Sequence, residues 1–122
     1  MKPADAVALA ADVRARRVTA RESALSALER VRARDPRVNC FTAVLAENAL
    51  RDADAVDAAV AAGRDPGPLA GVPFAVKNLF DIAGLTTLAG SKINAEHPPA
   101  AKDATVVARL RGAGAVLLGA LN

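Results

Sequence analysis

The apolar positions at the start of the chain recur with the three-and-four spacing of amphipathic helices. Residues 3–15 alternate Ala, Val and Leu with Asp, and they begin with a proline that suits a first helical turn. Thr19 and Glu22 match a capping box, in which each side chain accepts a hydrogen bond from the other residue's backbone N–H. We therefore expect a second helix to begin at Thr19 and to stop at Asp35, because the residue before Pro36 disfavours helical geometry.

A third helix is predicted from Glu47 to Ala62, where apolar residues again follow helical spacing and Gly63 supplies the usual left-handed end. Before it, residues 38–45 carry Val, Phe, Thr and Val in a short run that is typical of an extended segment. The first half of the chain is thus expected to consist mainly of three helices.

The pattern changes at Arg64, where turn residues replace the helical period. From there the sequence predicts, in order, a turn at 65–68, a buried strand at 69–76, a loop at 84–101, a helix at 104–111 capped by Asp103, and a strand at 115–118. A strand, a helix and a strand in this order predict a parallel βαβ crossover.

We expect an α/β fold divided at this change of pattern, with residues 1–63 as a helical arm and residues 64–122 as the start of a larger α/β core. Two parallel strands make a poor independent sheet, since such strands are normally buried among several neighbours. The chain is therefore interpreted as the N-terminal part of a longer enzyme. By itself it is expected to be poorly stable or to associate, with residues 72–76 and 116–118 uncovered.

Composition narrows the class of protein. Of the 122 residues, 52% are hydrophobic and 24% are charged, which is typical of a globular domain and excludes a disordered chain. No apolar stretch is long enough to span a membrane and the start lacks a signal-peptide core, so we expect a cytoplasmic protein. Cys40 is the single cysteine, which excludes an intramolecular disulfide, and we expect it to be a small buried hydrophobe.

The net charge of +3 is unevenly placed, because arginines crowd the predicted helical arm. Such a region either binds an acidic partner such as nucleic acid or forms a solvated helix face. Residues 14–37, where these arginines lie, contain no aromatic residue to stack on bases, and acidic residues are interleaved with the arginines, which favours the solvated face. The arginines are Arg14, Arg16, Arg17, Arg21, Arg30, Arg32, Arg34 and Arg37.

Lys77 is the most unusual candidate for chemistry, because it ends a run of uncharged residues at the carboxyl end of a predicted strand. If Val72, Phe74 and Val76 face one side of that strand, Lys77 faces the other. A lysine ammonium that is partly desolvated there loses its proton more easily and can act as a base. The alternative is a lysine that simply reaches out to water from the end of a strand.

Several spacings together resemble a known family. The segment GPLAGVPFAVKNLFDIAGLTTLAGSK, followed by DATVVARLRGAGAVLLGALN, closely resembles the N-terminal portion of the amidase signature family over residues 69–122. Asn78 stands where the family more often has aspartate after the lysine, and residues 119–122 depart from the commoner Gly-Lys-Thr-Asn. Both variants, together with SKINAEHPPA, look most like the biuret and carboxybiuret hydrolase branch.

The resemblance implies an amidase signature fold, of which this chain contains the N-terminal helices and the first βαβ part. It also implies a Ser-cisSer-Lys triad that hydrolyses a C–N bond of a small amide or urea-type substrate, with Lys77 as the lysine. Both serines and the oxyanion hole are expected beyond Asn122, so the chain alone is predicted to be inactive. The rival interpretation is a non-catalytic helical module that binds an acidic partner through its arginines.

Other candidate residues are weaker. Ser91 is expected in a structural loop rather than as a nucleophile, and His97 is expected to be exposed. Asp81 could pair with Lys77, which would stabilise the ammonium and oppose a role as base. Gly71 and Gly84 are expected in turns, because no phosphate-cradling glycine pattern occurs. We expect no cofactor and no metal.

The resemblance also bears on partners. It implies a small helical helper subunit in addition to a homo-oligomer, and the alanine-rich N-terminal helices with their arginines would suit docking of an acidic partner. The alternative is that these helices only cover the enzyme's own sheet, since the apolar stripe looks the same in both cases. We expect neither nucleic acid nor membrane as a partner.

Overall fold

The computed structural model describes residues 5–122 and has a mixed α/β fold, as predicted. The proline expected to begin the first helix lies outside the described residues. The helices and strands are α1 Ala6–Arg14, α2 Ala20–Val38, β1 Phe41–Val44, α3 Ala46–Ala61, β2 Pro73–Lys77, a 3-10 helix Lys92–Glu96, α4 Thr105–Gly112 and β3 Val116–Leu121. Within residues 5–122, no helix is long and apolar enough to cross a membrane.

The capping box predicted at the start of α2 is present. The Thr19 hydroxyl accepts the backbone N–H of Glu22 at 2.9 Å, and the Glu22 carboxylate accepts the N–H of Thr19 at 2.8 Å. The two side chains satisfy donors that a helix start otherwise leaves unpaired, which sets the boundary of the helix locally.

The predicted end of α2 is wrong, because the helix continues through Pro36 to Val38. A strong cap outweighs the local preference of the proline. Asn39 adopts left-handed geometry at φ 51° and its N–H donates to the Asp35 carbonyl at 2.6 Å. The Asp35 carboxylate accepts the next N–H, that of Cys40, at 2.7 Å.

Cys40 is exposed, which contradicts the prediction of a buried residue. It lies in the connection between α2 and β1, where its backbone N–H is bound to the Asp35 carboxylate. The backbone of this connection is ordered by polar contacts rather than by packing of the thiol. The preference of unpaired cysteine for the core therefore does not decide its position.

The sheet has three strands in the order β1-β3-β2, so the prediction of two strands is corrected. β2 and β3 are parallel and joined through α4, which confirms the predicted crossover. The third strand, β1, comes from the run of residues 38–45 and pairs antiparallel with β3. Within the predicted strand at 69–76, only the part from Pro73 onward is extended, and the strand reaches Lys77.

β3 is the central strand and its side chains are buried. Val116 is 0% exposed and Leu117 is 1% exposed, so the expectation of an uncovered surface at residues 116–118 is wrong. Two hydrophobic clusters cover the strand. One joins alanines and valines of α1, α2 and α3 to Val116 and Leu118, and the other packs Ile82 and Val107 against Leu117. In β2, Phe74 is half-buried and Val76 is buried.

Both halves of the sequence contribute to the first of these clusters. Ala24 and Ala53 from the helical part pack with Ala70 and Val116 from the part after Gly63. The division at Gly63 stays a prediction about the complete enzyme.

Asp103 does not cap α4, contrary to the prediction. The helix begins at Thr105 after Ala104, with no side-chain cap. The Asp103 carboxylate instead accepts the backbone N–H of Ala83 at 2.8 Å and pairs with Arg111 at 2.7 Å. The charged contact to Arg111 of α4 and the contact to the Ala83 N–H are together stronger than a hydrogen bond to the first N–H groups of α4.

Arg111 also reaches α3, where its guanidinium binds both carboxylate oxygens of Asp52 at 2.8 and 3.0 Å. The hydrogen bond to Asp52 raises the pKa of Arg111 above its ordinary value, against a lowering by burial, and the charge of Asp52 and the contact to Asp103 add to the rise. This bidentate pair joins α4 to α3 across one end of β3.

Gly63 has φ 72° at the end of α3, as predicted from its position after the last helical residue. Gly71 and Gly84 lie in turns with positive φ, which also confirms the prediction. At Gly71 there is a second requirement, because a Cβ there would lie 3.0 Å from the Cβ of Ala20. Glycine is therefore needed at this site for close approach of α2 as well as for conformation.

The eight arginines within residues 14–37 form a solvated face, as predicted, since all of them are exposed. Several are held by contacts within the chain. Arg14 donates to the Pro68 carbonyl at 3.1 Å, Arg16 to the Val60 carbonyl at 3.2 Å, and Arg21 pairs with Asp54 at 2.7 Å. Exposed pairs of this kind contribute little to stability, but they orient the arginines along the molecule's own surface.

Candidate functional site at the carboxyl end of the sheet

Lys77 is the last residue of β2 and lies beside Leu121 of β3. Because the two strands are parallel, they end at the same edge of the sheet. A cavity of about 450 Å³ opens at this edge. Its lining residues come from β1, from the ends of β2 and β3, and from the loop and 3-10 helix that follow β2; they are Thr42, Lys77, Asn78, Leu79, Leu88, Ala89, Gly90, Ser91, Lys92, Ala95, Leu121 and Asn122.

Asn78 organises the wall of this cavity. Its side chain is buried, with 6% of the residue exposed. The amide oxygen accepts the backbone N–H of Leu88 at 2.8 Å, and the amide nitrogen donates to the Thr42 hydroxyl at 2.7 Å. One side chain therefore joins the end of β2 to β1 and to the loop on the other side of the cavity.

The loop that faces Lys77 is tightly folded. Ala89 and Gly90 both have positive φ, at 48° and 76°. The Ala89 N–H donates to the Asn78 carbonyl at 2.7 Å, and the amide of Asn94 donates to the Leu88 carbonyl at 2.8 Å. These contacts hold Ser91 on the cavity wall, where its hydroxyl accepts the N–H of Ile93 at 3.3 Å at the start of the 3-10 helix.

Lys77 itself is exposed, so the expected partial desolvation of its ammonium is absent in this chain. Asp81 does not pair with it: the ion pairs among residues 5–122 do not include Lys77, and the Asp81 carboxylate accepts the Thr87 hydroxyl at 2.5 Å. The alternative in which Asp81 holds Lys77 as an ion pair is therefore wrong. Lys77 thus lies at the end of a strand and on the wall of a cavity, and no carboxylate among residues 5–122 pairs with it.

The charged side chains of the cavity wall are Lys77 and Lys92, and none of the lining residues is acidic. The rest of the wall combines leucine and alanine surface with neutral polar groups, namely the amide of Asn78 and the hydroxyls of Thr42 and Ser91. Such a mixture is typical of sites for small polar molecules, in which a few placed polar groups orient the ligand.

His97 lies outside this cavity and is exposed, as predicted. Its carbonyl accepts the Thr86 hydroxyl at 2.9 Å, which is a structural contact. Among residues 5–122, no group of three His, Cys, Asp or Glu side chains is placed to hold a metal ion.

Sequence reasoning identified Lys77 and the loop position of Ser91, but it did not identify the contacts of Asn78 and Thr42. Asn78 carried a weak signal, as a polar residue between Lys77 and the apolar Leu79. Thr42 carried none, because its place in the site depends on the pairing of β1 with β3.

Comparison with known proteins decides the family. Residues 22–122 match the family model for amidases. The chain belongs to the amidase signature family. This confirms the resemblance drawn from the GVP-to-lysine segment and the spacings that follow it.

Similar sequences include components of two kinds of enzyme. The chain is 55% identical over 106 residues to the AtzE subunit of the 1-carboxybiuret hydrolase of Pseudomonas sp. (strain ADP), a match that covers 87% of this chain and 23% of the relative. It is 50% identical over 118 residues to a subunit of the glutamyl-tRNA(Gln) amidotransferase of Acidothermus cellulolyticus, covering 96% of this chain and 23% of the relative.

Solved structures agree with the fold. A chain of the vestigial protein complex that reveals the evolutionary origins of an s-triazine catabolic enzyme superposes with a TM-score of 0.95 at 50% identity, covering 98% of this chain and 26% of that chain. Native peptide amidase from Stenotrophomonas maltophilia superposes with a TM-score of 0.87 at 34% identity, covering 97% and 24%. The chain thus spans about a quarter of the length of these proteins.

Proposed function

We propose that the full-length enzyme to which this chain contributes hydrolyses a C–N bond of a small amide or urea-type substrate by Ser-cisSer-Lys chemistry. The observation that carries the proposal is the position of Lys77, at the carboxyl end of β2 and on the wall of a cavity without acidic side chains. Membership in the amidase signature family favours this enzyme over a non-catalytic helical module.

In the proposed mechanism the neutral amine of Lys77 accepts the proton of a bridging serine, which in turn accepts the proton of the nucleophilic serine. Attack on the substrate carbonyl gives a tetrahedral intermediate, and its C–N bond breaks as the relay from Lys77 returns the proton to the leaving nitrogen. Water then attacks the acyl-enzyme ester, gives a proton to the same relay, and releases the acid as the nucleophilic serine regains its proton. The two serines and the backbone donors of the oxyanion hole belong to the part of the enzyme beyond Asn122. Covering of the cavity by that part would remove water from Lys77 and favour its neutral form.

The proposed substrate class is a small urea-type amide such as biuret or carboxybiuret. Support comes from the 55% identity to part of a 1-carboxybiuret hydrolase and from the cavity, whose volume of about 450 Å³ suits a small molecule. With Lys77 neutral as the base, the charge of Lys92 on the wall favours a substrate with a carboxylate over a cationic one.

The test is turnover by the purified full-length enzyme, with carboxybiuret, biuret and a simple aliphatic amide as substrates and release of ammonia as the readout. We expect Lys77→Ala to lower kcat by about 100-fold or more, because general-base catalysis supplies factors of that size. Lys102→Ala, which removes an exposed lysine outside the cavity, is the matched control and should keep normal turnover. Normal turnover of the Lys77→Ala enzyme would overturn the assignment.

A second candidate function is the release of ammonia from glutamine as part of an amidotransferase. It is favoured by the 50% identity to part of a glutamyl-tRNA(Gln) amidotransferase over almost the whole chain. The same Lys77 chemistry would apply, so the substrate decides between the two. Glutamine hydrolysis that exceeds turnover of carboxybiuret, and that increases when glutamyl-tRNA is present, would support the amidotransferase.

The partner proposal is a small helper subunit in a cytoplasmic hetero-oligomer, in addition to self-association. It is supported by the likeness to a chain from a vestigial protein complex and by the exposed arginines of α2, which suit an acidic partner. Light scattering of the full-length enzyme, alone and co-expressed with its genomic neighbours, tests it. An unchanged mass with every neighbour tested would exclude the helper subunit.

A further inference from the structure

We propose that Asn78 is a positioning residue for catalysis: it fixes the carboxyl end of β2, and with it Lys77, against the loop that carries Ser91. This inference rests on the proposed function, in which Lys77 is the base. Asn78 acts through its neighbour and through the cavity wall, and it need not touch the substrate.

The first support is that Asn78 is buried and both ends of its side-chain amide are used. The oxygen accepts from the Leu88 N–H at 2.8 Å and the nitrogen donates to the Thr42 hydroxyl at 2.7 Å. A buried amide with matched partners fixes one orientation, since any other leaves a polar group without a hydrogen bond. Thr42 continues the chain of contacts, because its hydroxyl donates to the Ala120 carbonyl of β3 at 3.3 Å.

The second support is that the backbone of the same residue is also held on two sides. The Asn78 N–H donates to the Leu121 carbonyl at 2.7 Å, and its carbonyl accepts the Ala89 N–H at 2.7 Å. One residue is therefore bound to β1, to β3 and to the loop at 88–91. Lys77 directly precedes it, so the Cα of Lys77 has little freedom relative to Ser91, although the lysine side chain itself is exposed.

The test uses the full-length enzyme with Asn78→Ala, and with Ser23→Ala as the matched control. Ser23 and Asn78 are the two buried polar residues of the part described, and Ser23 bonds the Gly71 carbonyl away from the cavity. We expect Asn78→Ala to lower kcat by about 10- to 100-fold with a smaller change in KM, because a misplacement near 1 Å has effects of this size. Ser23→Ala should lower the thermal midpoint and leave kcat unchanged.

Two further variants keep the test decisive if Asn78→Ala does not fold. Thr42→Val removes the acceptor of the amide nitrogen and the longer contact to the Ala120 carbonyl, but it keeps the Leu88 contact of Asn78, so it should give a smaller loss of kcat, of several-fold. Asn78→Asp keeps the acceptor for the Leu88 N–H and can accept a hydrogen bond from the Thr42 hydroxyl. It should therefore restore most of the kcat that Asn78→Ala loses, which a loss of packing alone would not predict.

The outcomes separate this inference from the proposed function. An unchanged kcat in Asn78→Ala would overturn the positioning role, and so would an unchanged kcat in Thr42→Val where Asn78→Ala does not fold. If Lys77→Ala keeps normal turnover, the proposed function fails on its own account. A severe loss in Lys77→Ala combined with wild-type behaviour of the Asn78 variants rejects only the positioning role.

Discussion

Two polar clusters fasten distant parts of this chain to the sheet, and they do so in different ways. The Asn78 cluster consists of Asn78 with its partners Thr42 and Leu88, and it uses uncharged groups. The Arg111 cluster consists of Arg111 with Asp52 and Asp103, and it uses charges. Leu121, at the end of β3, lies by the first, and Ala115, just before β3, lies by the second, so they mark opposite ends of that strand.

The difference follows from the surroundings that each cluster has. The side chain of Arg111 stays 32% exposed, so water still solvates part of its charge. The carboxylates of Asp52 and Asp103 offset the remaining cost of desolvation. Asn78 is 6% exposed, where an unpaired charge would be costly, and its neutral amide is matched by two neutral partners. Charged contacts thus hold one end of β3, and neutral hydrogen bonds hold the other.

The largest effect expected from this comparison is that of Arg111→Met in the full-length enzyme. Two carboxylates then lose their partner, and we expect stability to fall by about 2–3 kcal/mol, below the value for a fully buried pair because Arg111 is partly exposed. Urea unfolding measures the loss, and ammonia release at saturating substrate should stay near the parent value. A loss of kcat larger than that of Asn78→Ala would contradict the separation of the two clusters.

A smaller effect is expected for Asp103→Asn. The amide oxygen can still accept the Ala83 N–H, while the ionic contact to Arg111 is weakened, so the predicted cost is about 1 kcal/mol. Asp103→Ala removes both contacts and should cost more. Equal losses in the two variants, measured by urea unfolding, would contradict the contribution assigned to the Ala83 contact.

Salt should distinguish the clusters more finely. At about 1 M NaCl the screening length is about 3 Å, so the destabilisation caused by Arg111→Met should become smaller than at low salt. The destabilisation caused by Asn78→Ala depends on neutral hydrogen bonds and should stay the same within error. A parallel salt dependence of both variants in urea unfolding would remove the proposed difference in their physics.

The smallest effect concerns pH, because we expect the contribution of Arg111 to the free energy of unfolding to be the same at all pH values near neutrality. Its pKa is raised above the ordinary arginine value by Asp52 first, so its stabilisation is complete below that ordinary value and is lost only as pH rises through the higher folded value. The difference in stability between parent and Arg111→Met should therefore be constant between about pH 6 and pH 9. A slope in that range, measured by thermal unfolding, would contradict it.

A local element was predictable where the residues that interact to form it lie close together in the sequence. The capping box of Thr19 and Glu22 is such a case, as is the left-handed Gly63 at the end of α3. Lys77 was predictable as a site candidate because the uncharged run before it sets a strand and places the lysine at its carboxyl end.

The predictions that failed concern residues whose contacts differ from their local preferences. Asp103 has the residue type and position of a helix cap, but Arg111 and the Ala83 N–H bind it more strongly. Pro36 has the local preference of a helix stop, and the contacts of Asp35 and Asn39 override it. In each case a local tendency of small energy lost to contacts that only the folded chain assembles.

The sequence by itself determined the family, the order of most elements and the place of Lys77, because short-range patterns and fixed spacings carry that information. Only the tertiary structure decided that β1 joins the sheet beside β3, and therefore that Thr42 meets Asn78 across 36 positions of chain. Strand pairing depends on which backbone edges meet after collapse, and β1 meets an edge of β3 that lies more than 70 positions further along the chain. The wall of the cavity around Lys77 is accordingly a property of the fold rather than of any single segment.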